Sequence, residues 1–167
     1  MLSHVGDLKK TILNSIATNK RPSPSISNPM AQTVTLTLDQ QGDSTSIGTV
    51  RSHSVTVDRP ASKGGADQGP MGGELLLVGL GGCFMSNLLA AIKSRNAPIS
   101  QVKTVVSGTI DGNPAHFTAY SLQVSAKHED RALLEKLVTI AERGCISANS
   151  LKKAAPVSVS IVDLVAN

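Results

Sequence analysis

The sequence predicts an α+β fold in which antiparallel strands wrap one buried central helix, and three patterns carry that reading. Residues 33–58 alternate apolar and polar positions in short runs, the period of half-buried strands. Residues 74–93 are mostly strong helix formers with apolar groups on every face, as in a buried helix. Residues 102–126 hold two strand-like runs around a strong turn signal. At 167 residues the chain is long enough for one hydrophobic core and short for two. With one Tyr, two Phe and no Trp, that core must be aliphatic.

Taken in order, Leu2, Val5, Leu8, Ile12 and Ile16 recur at roughly helical spacing, so residues 3–18 read as a short amphipathic helix or as an organelle-targeting leader. Residues 20–30 are rich in Pro and Ser and read as a linker, with the compact domain beginning at residue 31. Val34, Leu36 and Leu38 alternate with Thr33, Thr35 and Thr37 in a first strand. The acidic, Gly-containing stretch 39–43 turns the chain, and residues 45–51 and 54–58 complete an antiparallel meander. Residues 59–73 contain five glycines and two prolines without apolar periodicity. A loop of that length is either functional or a mobile connection.

The helix expected over 74–93 contains Gly79, Gly81 and Gly82, each costing about 1 kcal/mol relative to Ala. That cost makes sense where another backbone or helix must approach closely. A membrane span is disfavoured, because Ser86 and Asn87 interrupt the apolar run short of the about 20 residues a bilayer requires. Residues 102–110 and 117–126 form a hairpin around Asp111-Gly112-Asn113-Pro114. Leu133, Leu134, Leu137, Ile140 and Ala141 place an amphipathic helix over 130–143, which Gly144 ends. A helical turn over 146–153 and a strand over 157–162 close the chain.

The net charge is +4, of which +3 lies in residues 1–30 (Lys9, Lys10, Lys20 and Arg21 against Asp7). The remaining body is near neutral and almost free of aromatics, so it lacks both the basic groove and the stacking platform of a nucleic-acid binder. Neither nucleic acid nor a membrane is an expected partner. Two cysteines do not make a disulfide framework, and without a C-x2-C pair they do not suggest zinc. His53, His116 and His128 are scattered without ligand spacing, so neither a metal nor another cofactor is expected. A reducing cytoplasm fits this cysteine usage best.

Cys83 and Cys145 are therefore the candidate chemistry. Cys83 lies inside the apolar helix, with Gly79, Leu80 and Asn87 one turn away. Cys145 follows Arg143-Gly144 at a junction between two helical stretches, where Arg143 and the amino end of the next turn would favour its thiolate. A pair brought together could pass from sulfenic acid to disulfide. Two inert core thiols are the structural alternative. Ser147, Asn149 and Ser150 either line a site or cap a short helix.

Two stretches point to a family. Gly69-Pro-Met-Gly-Gly-Glu-Leu-Leu-Leu-Val-Gly-Leu-Gly-Gly-Cys83-Phe resembles the Gly-rich loop and central helix of the OsmC/Ohr proteins, the osmotically induced and organic hydroperoxide resistance family. Glu142-Arg-Gly-Cys145-Ile-Ser-Ala-Asn-Ser-Leu resembles that family's second cysteine motif. The resemblance covers residues 32 to the C-terminus. It implies an OsmC-like fold, an intertwined homodimer, and a thiol peroxidase in which Cys83 attacks an organic hydroperoxide and Cys145 resolves it. A dithiol such as a lipoyl protein would be the reductant.

In hydroperoxide-reducing members of the family a Glu stands ten residues before the first cysteine and an Arg lies on an early strand. Here the first position is Gly73, with Glu74 one residue later, a rotation of about 100 degrees on a helix. The second falls near Ser46, leaving Arg51 and Arg59 as substitutes. Glu74, Arg51 and Arg59 are thus candidate catalytic residues beside the cysteines. Their displacement also motivates the alternative of an OsmC-like ligand-binding protein without peroxidase activity.

Overall fold

The computed structural model describes residues 32–163, and the expected helix at 3–18 and linker at 20–30 lie outside them. The chain divides into two units, residues 1–35 and 36–167. Of the first, residues 32–35 are described, and they are exposed without regular structure.

The second unit opens with an antiparallel meander of β1 (Thr37–Gln40), β2 (Ser46–Val50) and β3 (His53–Val57). Thr37 stands opposite Thr49, and Ser46 opposite Val57. The alternation of residues 33–38 suggested an earlier start for β1. Period-two patterning shows which residues suit a pleat, but the ladder begins only where β2 supplies hydrogen bonds.

The loop after β3 is bound to it rather than loosely attached. The Asp58 carboxylate is buried and accepts hydrogen bonds from the Ser44 hydroxyl and the Arg59 N–H, each at 2.7 Å, and from the N–H groups of Ala66 at 3.2 Å and Gln68 at 3.1 Å. Gly69 runs so close to β3 that a Cβ there would lie 2.4 Å from the Thr56 carbonyl oxygen. Asp58 and Gly69 thereby fix where the next helix begins.

That helix, α1 (Gly72–Ser94), starts two residues before the expected Glu74 and runs about 34 Å over its 23 residues. The Glu74 carboxylate reaches back to the Met71 N–H at 2.7 Å, satisfying a backbone donor that has no partner in the first turn. Leu80, Phe84, Leu88, Ala91 and Ile92 form a buried stripe at helical spacing. Leu76, Val78 and Leu89 are exposed in the single chain. By length and composition alone α1 could cross a bilayer, yet its buried stripe packs on protein, namely β4, α2 and α3.

β4 (Ile99–Asp111) and β5 (His116–His128) form the long hairpin, and its turn uses Gly112 at φ +91°. β4 starts three residues before the expected strand, across an irregularity between Ser100 and Lys103 where Gln101 has φ +52°. β6 (Val157–Ile161) joins the free edge of β5 in parallel, the exception to otherwise antiparallel pairing.

Between β5 and β6 the chain makes α2 (Arg131–Gly144) and α3 (Ile146–Leu151). Asp130 caps α2 by accepting the Leu133 N–H at 3.0 Å. Leu134, Leu137, Val138 and Ala141 of α2 bury against the core that α1 shares. Each fully buried Leu or Phe contributes about 1.5–3 kcal/mol. The aliphatic centre built by Leu80, Leu88, Leu122, Leu134 and Leu137 thus fixes the α1–α2 packing, and α2 delivers Cys145 to the side of α1.

Candidate active site at Cys83 and Cys145

α1 supplies Cys83, which is partly buried beside the core, and the α2–α3 junction supplies Cys145, which is completely buried. Both are free thiols of the same core, near enough for each to shift the other's titration. Cys145 ends α2 and caps α3 at once, its sulfur accepting the Ala148 N–H at 3.4 Å. That bond orients the residue at the junction.

The two thiols are tuned in opposite directions. Burial pushes Cys83 up, but the Ser147 N–H, the Cys145 thiol, the Ser147 hydroxyl and the Ile146 N–H all favour its thiolate and together hold it below the ordinary thiol range. Burial also pushes Cys145 up. The Ala148 N–H opposes this, while donation to Cys83 and repulsion from its charge push further, so Cys145 stays above the ordinary range despite the Ser147 N–H. Cys83 ionises first and Cys145 keeps its proton.

This reverses the expectation that Arg143 and the amino end of α3 would favour the Cys145 thiolate. The first N–H groups of α3 face Cys83, because α2 docks α3 against α1. Arg143 is exposed, and its carbonyl accepts from the Asn149 side chain at 3.0 Å. Of the three polar residues after Cys145, Ser147 reaches the site, where its hydroxyl also meets the Gly79 carbonyl at 3.4 Å. Asn149 and Ser150 are exposed on α3.

The remaining candidates lie apart. Glu74 is nine residues, about two and a half turns, before Cys83, so the two side chains leave opposite faces of α1. Arg51 occupies the exposed β2–β3 turn at φ +54°, and Arg59 is exposed at the start of the loop that Asp58 ties down. The groups that chiefly set the Cys83 thiol are backbone, hydroxyl and thiol donors rather than a guanidinium. Among the described residues no three His, Cys, Asp or Glu side chains gather where they could hold a metal.

Sequence reasoning missed Asn87 and Asp58. Asn87 was visible one turn from Cys83, and its side-chain amide donates to the Cys83 carbonyl at 2.8 Å. Asp58 had no signal beyond an acid at a strand end. A separate apolar cavity of about 310 Å³ lies between the β1–β3 sheet and the start of α1, lined by Leu36, Leu38, Val50, Val55, Val57 and Leu75.

The family profile described as OsmC-like protein matches residues 64–160, more than half of the chain and the whole of both cysteine segments. This chain belongs to the OsmC-like protein family. Among the curated proteins none matches it. Its fold is that of solved OsmC-like structures. An OsmC-like protein from Mycoplasma pneumoniae aligns with TM-score 0.71 at 17% identity, covering 81% of this chain and all of the other. An organic hydroperoxide resistance protein from Elizabethkingia anophelis aligns at 0.64 and 18% identity, covering 81% and 99%. OhrB of Bacillus subtilis, also an organic hydroperoxide resistance protein, aligns at 0.57 and 21% identity, covering 78% and 98%. At such identities the likeness establishes the OsmC-like fold, and the chemistry rests on the site.

Proposed function

We propose that this OsmC-like protein is a thiol-dependent peroxidase that reduces organic hydroperoxides through a Cys83 sulfenic acid resolved by Cys145. The observation that carries this reading is two free thiols brought to one core by α1 and the α2–α3 junction, with Cys83 favoured as the thiolate and buried Cys145 held above the ordinary thiol range. The Cys83 thiolate attacks the terminal oxygen of ROOH. The S–O bond forms as the O–O bond breaks, giving Cys83–SOH and an alkoxide that takes a proton from solvent and leaves as ROH. The Cys145 sulfur then displaces hydroxide from the Cys83 sulfur, its own proton completing water, and a disulfide remains. An external dithiol, of the lipoyl kind, restores both thiols and leaves as its own disulfide.

The name of the Elizabethkingia relative supports this substrate class. The protein acts as a homodimer in a reducing compartment such as the cytoplasm. The exposed apolar residues Val78 and Leu89, on one face of α1, support a second copy covering that face. The test is a thiol count after a small excess of cumene hydroperoxide. Wild type loses both thiols, Cys83→Ser loses neither, and Cys145→Ser retains a trappable sulfenic acid. Survival of both wild-type thiols under conditions that oxidise a control peroxidase refutes the proposal.

Two observations favour a second reading, a ligand-binding protein without turnover. Glu74 is engaged with Met71 rather than with Cys83, and the apolar cavity near the start of α1 has room for a small apolar ligand. Thermal stabilisation by such a ligand without peroxide consumption would select it.

A further inference from the structure

Asn87 is a polar residue in the middle of an apolar helix, where Asn is less favourable than Ala or Leu. It lies four residues after Cys83 and therefore on the same face. Its Nδ2 donates to the Cys83 carbonyl at 2.8 Å and lies 4.0 Å from the Cys83 sulfur. A carbonyl accepts only from a donor, so this bond sets which way the amide turns and directs Oδ1 towards α2. There Oδ1 lies 3.1 Å, and Cγ 3.6 Å, from the position a Cβ would take on Gly144. Gly144 is the last residue of α2 and immediately precedes Cys145.

We propose that Asn87 is a positioning residue that holds the Cys83 and Cys145 segments in reacting register, its amide packed so closely on Gly144 that a side chain there would press it out of place. One planar group bonds the residue bearing the attacking sulfur and packs on the neighbour of the resolving sulfur. Between α3 and α1 the Ser147 hydroxyl also meets the Gly79 carbonyl, at the longer distance of 3.4 Å. Holding two reactants at fixed separation raises their effective concentration, so the amide acts on disulfide closure.

The inference rests on reading Cys83 and Cys145 as a redox pair, and its test does not need a hydroperoxide. Folded protein is equilibrated in glutathione redox buffers, and the ratio of disulfide to dithiol gives the effective concentration of the two thiols. Asn87→Ala lowers it several-fold, because the packing of the amide against Gly144 is lost. Asn87→Ser, whose hydroxyl still bonds the carbonyl four residues back but is too short to reach Gly144, lowers it similarly. Gly144→Ala lowers it in wild type and has little further effect in the Asn87→Ala background, because the obstructing amide is gone. Wild-type values in Asn87→Ala, full recovery in Asn87→Ser, or additive effects of the two sites would overturn the inference. A wild-type protein that forms the disulfide in glutathione but ignores cumene hydroperoxide would sink the peroxidase proposal and leave the role of Asn87 to these comparisons.

Discussion

Gly81 offers a direct test of how α1 lies on the hairpin, two residues from Cys83. A Cβ at residue 81 would stand 2.7 Å from Val106 Cγ2 on β4. Carbon atoms pack at about 3.5–4.0 Å, so Gly81→Ala creates an overlap of about 1 Å. Val106 cannot swing away freely, because a β-branched side chain has restricted χ1. Overpacking of this kind costs about 1–3 kcal/mol, and replacing a mid-helix glycine returns about 1 kcal/mol. The net expectation is therefore a loss of about 0–2 kcal/mol. Val106→Ala removes the obstructing methyl, and in that background Gly81→Ala should instead stabilise by about 1 kcal/mol. Urea denaturation of the four proteins in this cycle isolates a coupling of about 1–3 kcal/mol between the two sites. If Gly81→Ala were equally stabilising in both backgrounds, α1 would not pack on β4 as described, and the placement of Cys83 would fall with it.

The Asp58 carboxyl is held down to about 2, chiefly by the Ser44 hydroxyl, against burial and with help from the N–H groups of Gln68 and Arg59 and from Thr45. A carboxyl depressed by folding stabilises fully above its unfolded value of about 3.9 and loses that contribution as pH falls towards 2. Asp58→Asn should therefore lower the urea midpoint near neutrality and flatten its fall between pH 4 and 2; an unchanged acid profile would contradict the role. Cys145→Ala removes a neighbour that favours the Cys83 thiolate, so the ultraviolet thiolate absorbance of Cys83 should rise at higher pH than in Cys145-containing protein, and an unmoved titration would show that the thiols do not communicate. Val78→Arg places a charge on the exposed apolar face of α1 and should shift the sedimentation of the proposed homodimer to that of a monomer; a retained dimer would locate the interface elsewhere.

The elements were legible where one physical pattern dominates. The apolar run of α1, the Asp-Gly-Asn-Pro turn and the Leu133–Leu137–Ile140 periodicity each leave few alternatives. Strand ends were harder, because residues 33–36 alternate like a strand but do not join the ladder with β2. The parallel pairing of β6 depends on which edge of β5 is left open, and nothing within residues 157–162 encodes that. At the site, the two cysteines were visible and their electrostatics were not. Arg143 is adjacent to Cys145 in the chain, yet the donors that favour a thiolate converge on Cys83 because α2 docks α3 against α1. The three glycines near Cys83 also looked alike, although Gly81 meets Val106 while Gly79 and Gly82 face open space in the single chain. Asp58 remained hidden because its partners, Ser44, Ala66 and Gln68, are distant in sequence.

The most direct test of the central claim is peptide mass spectrometry of wild-type protein quenched during reaction with cumene hydroperoxide and a dithiol. The account predicts a sulfenic acid on Cys83 first, then a Cys83–Cys145 disulfide, with one alcohol released per disulfide formed and the dithiol restoring both thiols. Oxidation that begins on Cys145, or a protein that leaves the hydroperoxide unconsumed with both thiols intact, would contradict it.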